Sequence, residues 1–145
     1  MKPALTMKVS VVSPEGEIYA GEAERIYLRG AMGELGIAPG HLQLLTTIKP
    51  GPLRLVHAHQ EEELLYVSGG ILEIQPDCVS ILADTIERPQ DVNEAAALAA
   101  KKAAEDLLAG QQAPIDRMRI QQELTEALAK LQVLELMRQR KGSGL

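Results

Sequence analysis

The chain has 145 residues and a formal net charge of −5, and its only aromatic side chains are three tyrosines. Without Phe or Trp the core must be aliphatic, and a site that stacks nucleobases on aromatic rings is not expected. The acidic total also argues against a nucleic-acid-binding face, which needs clustered basic residues.

The N-terminal residues alternate polar and apolar types, which is the two-residue period of a strand. Met7, Val9 and Val11 form the apolar side, and Ser13 begins a turn. The segment lacks the continuous apolar stretch of a signal peptide, and no run in the sequence approaches the ~20 apolar residues of a membrane span. Any membrane association is therefore expected to go through a partner.

Up to residue 88 the pattern continues as short strands separated by turns. Gly21 divides two short strands, and the glycine-rich segment 31–41 is predicted as a loop. The predicted strands after the first are 17–20, 23–28, 42–48, 53–57, 64–67, 71–74 and 78–83. Short strands with turns roughly every eight to twelve residues predict an all-β domain, either a sandwich or a barrel. Cys78 is the only cysteine, so no intrachain disulfide can form.

The composition changes at Pro89, which a sheet ladder accommodates only at an edge. Asn93 is a suitable N-cap for an alanine-rich helix that ends at Gly110, because alanine has the highest helix propensity. Pro114 then excludes simple continuation, and Asp116 is predicted to cap a second helix. The sequence thus predicts a β domain over 1–88 and an antiparallel two-helix hairpin over 89–145, with helices at about 93–109 and 116–140.

The second predicted helix combines an apolar stripe with basic residues. The stripe repeats at spacings of four and three residues and comprises Ile120, Leu124, Ala127, Leu131 and Leu134. Residues 115–145 carry 6 basic and 4 acidic side chains, whereas residues 1–114 carry 9 and 16. A basic helix on an acidic body could bind an acidic partner, although a solvated helix face would give the same pattern. The alanine-rich first helix buries little area per residue, so we expect the hairpin to depend on docking against another surface.

Seven short motifs occur in order along the chain. They are VVSP at 11–14, GELGIAPGH at 33–41, LLT at 44–46, IKPG at 48–51, YVSGGILE at 66–73, VSILAD at 79–84 and AKLQVLEL at 129–136. In their order and spacing they resemble the epsilon subunits of bacterial F-type ATP synthases, in the proteobacterial form. The resemblance covers almost the whole chain.

The resemblance implies a non-catalytic rotor subunit, whose sandwich of about ten strands joins the gamma shaft to the ring of membrane-embedded c subunits. The residues then expected at the c-ring are Gly33, Glu34 and Leu35. The residues expected to face gamma are Ser13, His41 and Leu42. The expected location is peripheral, at the cytoplasmic face of the bacterial inner membrane.

The resemblance also implies a regulatory role for the helices. When extended, the second helix could enter the catalytic head of alpha and beta subunits and inhibit ATP hydrolysis. The basic side chains expected to meet acidic segments there are Arg117, Arg119, Lys130, Arg138 and Arg140.

Some bacterial members of the family bind ATP through an Ile/Leu-Asp-x-x-Arg-Ala run at the start of the first helix. This chain has Asn93 in place of the Asp and Ala96 in place of the Arg. Without that guanidinium the site lacks its bidentate phosphate partner. We therefore expect ATP binding to be absent or very weak, and no cofactor is predicted.

The sequence gives only weak indications of a metal site or of an enzymatic site. His57 and His59, with the acidic run 61–63 nearby, could hold a metal, but one local stretch without distant ligands rarely closes a site, so no metal is predicted. His41 is not accompanied by an activated nucleophile, which argues against an enzyme. The residues leave open one further class, a free-standing β-sandwich binding module with a helical oligomerisation tail.

Overall fold

The computed structural model of the chain describes residues 5–57 and 61–143, and the side chains as far as residue 140. These residues confirm the predicted class, a nearly closed β-sandwich of ten strands followed by two antiparallel helices. The strands are β1 (Met7–Ser13), β2 (Gly16–Ala23), β3 (Arg25–Gly30), β4 (Gly33–Ile37), β5 (Leu44–Ile48), β6 (Gly51–Val56), β7 (Glu62–Val67), β8 (Gly70–Ile74), β9 (Cys78–Ala83) and β10 (Ile86–Glu87). A short 3-10 turn at Pro89–Asp91 leads into the helices α1 (Glu94–Leu108) and α2 (Pro114–Ser143).

The sheet runs in the order β10-β7-β6-β3-β5-β8-β9-β1-β2, and β4 pairs with β3 beside this path. Among the described strands every pair is antiparallel except β1 with β9. That parallel pair aligns Val9 with Val79 and Val11 with Ile81, and all four side chains are buried. The first strand of the chain is thereby fixed against the last long one.

The interior of the sandwich is aliphatic, as the composition requires. Alternation along the strands turns side chains such as Val11, Ile26, Leu55, Leu72 and Ile81 inward, where they are fully buried. Burial of one such side chain contributes about 1.5–3 kcal/mol. The interior therefore makes the sandwich a stiff body, suited to carrying surface contacts.

Two strand predictions were wrong. β2 runs unbroken through Gly21, where a Cβ atom would lie 2.9 Å from the Tyr19 hydroxyl oxygen, so the glycine serves close packing and not a break. The segment predicted as a loop contains β4, in which Ile37 pairs with Ile26 and is buried in the interior. Gly36 lies so close to the Tyr27 ring that a Cβ atom there would be 3.2 Å away. In both cases glycine permits the approach of an aromatic side chain within a strand.

Both helices were predicted, but the second is longer than expected. α1 follows Asn93, whose side-chain oxygen accepts a hydrogen bond from the Ala96 amide at 3.0 Å. α2 begins at Pro114 and not at Asp116, because a proline at the first helical position lacks only an amide hydrogen that has no acceptor within the helix. Asp116 lies in the first turn, where its charge favours the positive end of the helix dipole. α2 also continues beyond Arg140 to Ser143.

Within residues 5–57 and 61–143, neither helix combines the length and the apolar character needed to cross a membrane.

Candidate functional site

The β3–β4 hairpin carries the residues predicted to meet a c-ring. Gly33 adopts a φ of +127° at the tip, and both Gly33 and Glu34 are exposed. Leu35 is half-buried, because its Cδ1 atom lies where a Cβ atom on Gly30 would be only 2.7 Å away. Met32, which the motifs did not single out, is 99% exposed. The tip therefore offers one apolar side chain next to one carboxylate, while Leu35 packs against Gly30 close to the tip.

The three residues predicted to face gamma differ in their exposure. Ser13 is buried, and its Oγ atom accepts a hydrogen bond from the Glu15 amide at 3.3 Å, which stabilises the β1–β2 turn. His41 is half-buried, with its Nδ1 atom 2.7 Å from the carbonyl oxygen of Leu42. The Leu42 side chain is 84% exposed. Of these three residues, only Leu42 has a large exposed side chain that a partner could contact.

An apolar row that the sequence analysis missed lies on the outer face of the sheet. The strand register aligns Val12 with Leu82 and Leu82 with Ile71 across β1, β9 and β8. Leu82 is 50% exposed and Ile71 is 44% exposed, whereas their chain neighbours Ile81 and Leu72 are fully buried. On β5 the outward side chain of Leu45 is also exposed. The outer apolar row is defined as Val12, Leu45, Ile71 and Leu82.

Ser13 and Leu42 lie beyond opposite ends of the outer apolar row. Ser13 follows Val12 directly in β1. Leu42 precedes Leu44, which pairs with Ile74 at the other end of β8. The structure therefore does not bring the predicted gamma-facing residues into one cluster, and the apolar row occupies the surface between them.

The helices dock on the sandwich through the second half of α2. The docking cluster comprises Leu64, Tyr66, Val92, Ala129, Val133 and Leu134. Burial raises the pKa of the Tyr66 phenol, and the charges of Glu126 and Glu87 raise it further. Among the described residues this cluster has 6 buried members and the interior of the sandwich has 17. Because stabilisation scales with buried apolar area, docking is much weaker than folding of the sandwich.

Two of the predicted head-contact cations lie near the tip of the helical hairpin. Arg117 donates to the carbonyl oxygen of Leu108 at 3.5 Å, which places it at the C-terminal end of α1. Arg119 forms an ion pair with Asp116 at 3.8 Å, one turn back along α2. Arg119 and Asp116 are both largely exposed, so this pair contributes little to stability.

The other three head-contact cations lie against the sandwich or the start of α1. Lys130 Nζ is 3.8 Å from Glu87 Oε2 and 5.5 Å from the centroid of the Tyr66 ring. Arg138 donates to the Glu94 carboxylate, and Arg140 donates to a backbone carbonyl oxygen of β7. These three cations therefore have intramolecular partners in the docked form.

The ion pair between Arg54 of β6 and Glu62 of β7 links these two strands next to the docking surface. Arg54 donates two hydrogen bonds to the Glu62 carboxylate, and its guanidinium lies 5.2 Å from the centroid of the Tyr27 ring. The hydrogen bond from Arg54 lowers the pKa of Glu62, and the same bond raises the pKa of Arg54.

A cleft of about 330 Å³ lies between the 3-10 turn, α1 and α2, and Asn93 and Ala96 are part of its wall. Its charged lining residues are Glu87, Asp91, Glu123, Glu126 and Lys130. Four carboxylates against one ammonium group create a field that repels phosphates. The charge of this lining therefore disfavours a nucleotide, and none of the described residues that line the cleft is an arginine.

Of the two histidines considered as metal ligands, His57 is described by the structure, and both of its ring nitrogens contact protein groups. His57 Nδ1 lies 3.2 Å from the Tyr19 hydroxyl and 3.1 Å from the carbonyl oxygen of Glu22, and its Nε2 atom lies 3.4 Å from Glu63. No group of three or more His, Cys, Asp or Glu side chains suited to a metal ion occurs among the described residues. His59 lies outside them.

Similarity to known proteins extends over nearly the whole chain. Residues 6–89 match the family described as ATP synthase, Delta/Epsilon chain, beta-sandwich domain. Residues 90–135 match ATP synthase, Delta/Epsilon chain, long alpha-helix domain. An ATP synthase epsilon chain of Acidithiobacillus ferridurans is 51% identical over 136 residues, which cover 94% of this chain and 96% of that one.

Two solved assemblies contain chains of the same fold. One is the cryo-EM structure of the Euglena gracilis mitochondrial ATP synthase, OSCP/F1/c-ring in rotational state 1, with a TM-score of 0.72, 23% identity, and coverage of 93% of this chain and 82% of that chain. The other is the central stalk and c-ring of the Tetrahymena thermophila mitochondrial ATP synthase, with a TM-score of 0.66, 14% identity, and coverage of 92% and 99%. At these identities the likeness shows the fold alone.

Proposed function

The chain belongs to the delta/epsilon family of ATP synthase subunits, and we propose that it clamps the gamma shaft to the c-ring and regulates ATP hydrolysis through its helices. Its function is that of an epsilon subunit, which belongs to the stalk and is not a catalytic subunit. The observation that carries the proposal is that two family domains match residues 6–135 in the expected order.

The proposed c-ring contact is the tip of the β3–β4 hairpin. Met32 and Glu34 are both exposed there, so the tip can combine apolar contact with a charged contact to polar loops of the ring. The hairpin is anchored to the interior by the partly buried Leu35 and, at its base, by the buried Ile37. A tip mounted on paired strands suits transmission of torque, because it cannot bend as a free loop would.

The proposed gamma contact is the outer apolar row together with Leu42. Exposed Leu82 and Ile71 aligned on neighbouring strands, with the half-buried Val12 beside Leu82, form an apolar patch that is unusual on a surface that meets only water. Ser13 is proposed to shape the end of this surface through its turn, and His41 to position Leu42.

Regulation is proposed to depend on release of the docked helices. In an extended position, α2 would present Arg117, Arg119, Lys130, Arg138 and Arg140 to acidic segments of the alpha and beta subunits. The docking cluster is small enough for a few kcal/mol to shift the population, which is within reach of contacts made in the head. The subunit is proposed to act at the cytoplasmic face of the bacterial inner membrane, held there by gamma and the c-ring.

The competing function, a binding module with a helical oligomerisation tail, requires a free apolar stripe on α2. Three members of that stripe, Ile120, Ala127 and Leu134, are 3%, 3% and 4% exposed. Because these three side chains are already covered within the chain, most of the stripe is not free to drive oligomerisation. Sedimentation of the purified chain tests this, since a tail would give a dimer whose fraction rises with concentration.

The main experiment compares the full chain with a chain that ends at Arg88, each assembled into the synthase in inverted membrane vesicles. ATP hydrolysis should rise several-fold in the truncated form, while proton pumping per ATP is retained because the sandwich is still present. Co-purification with gamma provides the check that the shortened chain has folded. Unchanged hydrolysis would remove the regulatory role, and loss of pumping with gamma still bound would show that the sandwich alone is not the clamp.

A further inference from the structure

The segment that connects the sandwich to the helices has a carboxylate at each end. Glu87 is the last residue of β10 and Glu94 is the first residue of α1, so residues 88–93 form the connecting segment. It contains the Pro89–Asp91 turn. Any movement of the helices away from the sandwich has to bend this segment.

α2 contacts both of these carboxylates at once. Lys130 Nζ lies 3.8 Å from Glu87 Oε2, and Arg138 donates to Glu94 Oε2. Lys130 and Arg138 are eight residues apart, which is about 12 Å along a helix. One rigid helix therefore holds the residue before the connecting segment and the residue after it at a fixed separation.

The two ion pairs differ in their surroundings. The side chains of Lys130 and Glu87 are 33% and 30% exposed, whereas those of Arg138 and Glu94 are 51% and 42% exposed. Glu87 Oε2 is buried and has no hydrogen-bond partner among the described atoms, so its charge is compensated mainly by the Lys130 ammonium group. The Lys130 ammonium group is held over Tyr66, which belongs to the docking cluster. The first pair is thus tied to docking of α2 on the sandwich.

We propose that Lys130–Glu87 and Arg138–Glu94 act together as a clamp across the connecting segment and keep the helices docked. Because both cations belong to one helix, opening of either pair lets the segment bend and weakens the other pair. The clamp rests on the proposed regulatory movement of the helices, and it adds the requirement that these ion pairs open before the helices leave the sandwich. The clamp itself engages two of the five cations that would meet the catalytic head, Lys130 and Arg138, so these two cannot serve the clamp and the head at the same time.

The test measures opening of the helices in the full chain. V133C places a thiol in the docking cluster, where Val133 is fully buried, and C78S removes the native thiol. The rate at which an aromatic disulfide reagent labels this thiol reports the open fraction. E87Q and E94Q are introduced singly and together into this V133C, C78S chain. E105Q in the same chain is the matched control, because Glu105 pairs with Lys101 within α1.

Each single variant should raise the labelling rate about threefold over E105Q, which is the range of exposed ion pairs. In the double variant, the increase in labelling rate should be well below the product of the increases in the two single variants, because loss of either pair already opens the clamp. Rates equal to that of E105Q in both single variants overturn the proposal, and so does a double effect equal to the product. Failure of regulation is a separate result, seen when truncation at Arg88 leaves ATP hydrolysis unchanged.

Discussion

A Cβ atom on Gly70 would lie 1.9 Å from the carbonyl oxygen of Leu82. Gly70 begins β8, pairs with Ala83 of β9 and adopts a φ of +144°, which L side chains rarely adopt. G70A should therefore destabilise the sandwich by about 4 kcal/mol, since backbone strain and overlap with a backbone atom add together. Urea unfolding followed by circular dichroism measures the loss.

Gly16 provides the matched control for this prediction. Its φ is +130°, but no described atom lies within 4 Å of the Cβ position. G16A should cost only the backbone strain, about 1–2 kcal/mol. Equal losses in the two variants would show that the contact with Leu82 has no separate effect.

Glu62 should make the stability of the sandwich depend on pH. The hydrogen bond from Arg54 lowers the pKa of Glu62 below its ordinary value of 4.5, so the folded state favours the charged carboxylate. The stabilisation is present above pH 4.5 and disappears as the pH falls through the lowered folded pKa. E62Q should be less stable by about 1 kcal/mol at pH 7, with a smaller difference below pH 4, because Arg54 is partly solvated.

The neighbouring Glu61 is exposed and allows the same change of charge without that hydrogen bond. E61Q should leave the free energy of unfolding nearly constant relative to the native chain from pH 7 to pH 4. A pH dependence shared by E61Q and E62Q would assign the effect to overall charge and not to the Arg54–Glu62 pair.

The sequence predicted the fold well because its periodicity and its turn residues agree. Val9 and Val11 alternate with polar residues in β1, and the Asn93 cap is found as expected. The glycines were harder to interpret, since Gly21 and Gly36 are strand residues that make room for tyrosine rings. Sequence alone does not distinguish a glycine that breaks a strand from one that admits a neighbouring side chain.

The candidate surfaces were predicted less completely than the fold. The motif around Glu34 directs attention to the β3–β4 hairpin, but the exposed Met32 at its tip lies outside the motif and was not predicted as a contact. The outer apolar row had a signal in the sequence, because adjacent apolar residues in one strand, as in Ile71 and Leu72, cover both of its faces. The ion pairs of α2 join residues distant in sequence, and only the docked geometry reveals them.

ATP should bind the purified chain with a dissociation constant weaker than about 100 μM, because no described residue that lines the cleft is an arginine able to make a bidentate phosphate contact. Ala96, where the family resemblance places that arginine, lines the cleft, and Glu123 and Glu126 add negative charge to it. Isothermal titration calorimetry with ATP measures the affinity. Binding tighter than this limit would mean that phosphates are held in spite of the carboxylates.

Replacement of Leu82 by aspartate should weaken binding of the chain to gamma by about tenfold to a hundredfold. Leu82 is 50% exposed at the centre of the outer apolar row, so the change leaves the core intact while it places a charge in the proposed contact. Leu107 on α1 is 47% exposed, and L107D is the matched control. Surface plasmon resonance on immobilised gamma compares the two, with thermal unfolding as the check on folding. Because exposure and charge change are the same, equal weakening by L107D and L82D would mean that gamma does not distinguish the outer apolar row from the helices, and the proposed contact would then be wrong.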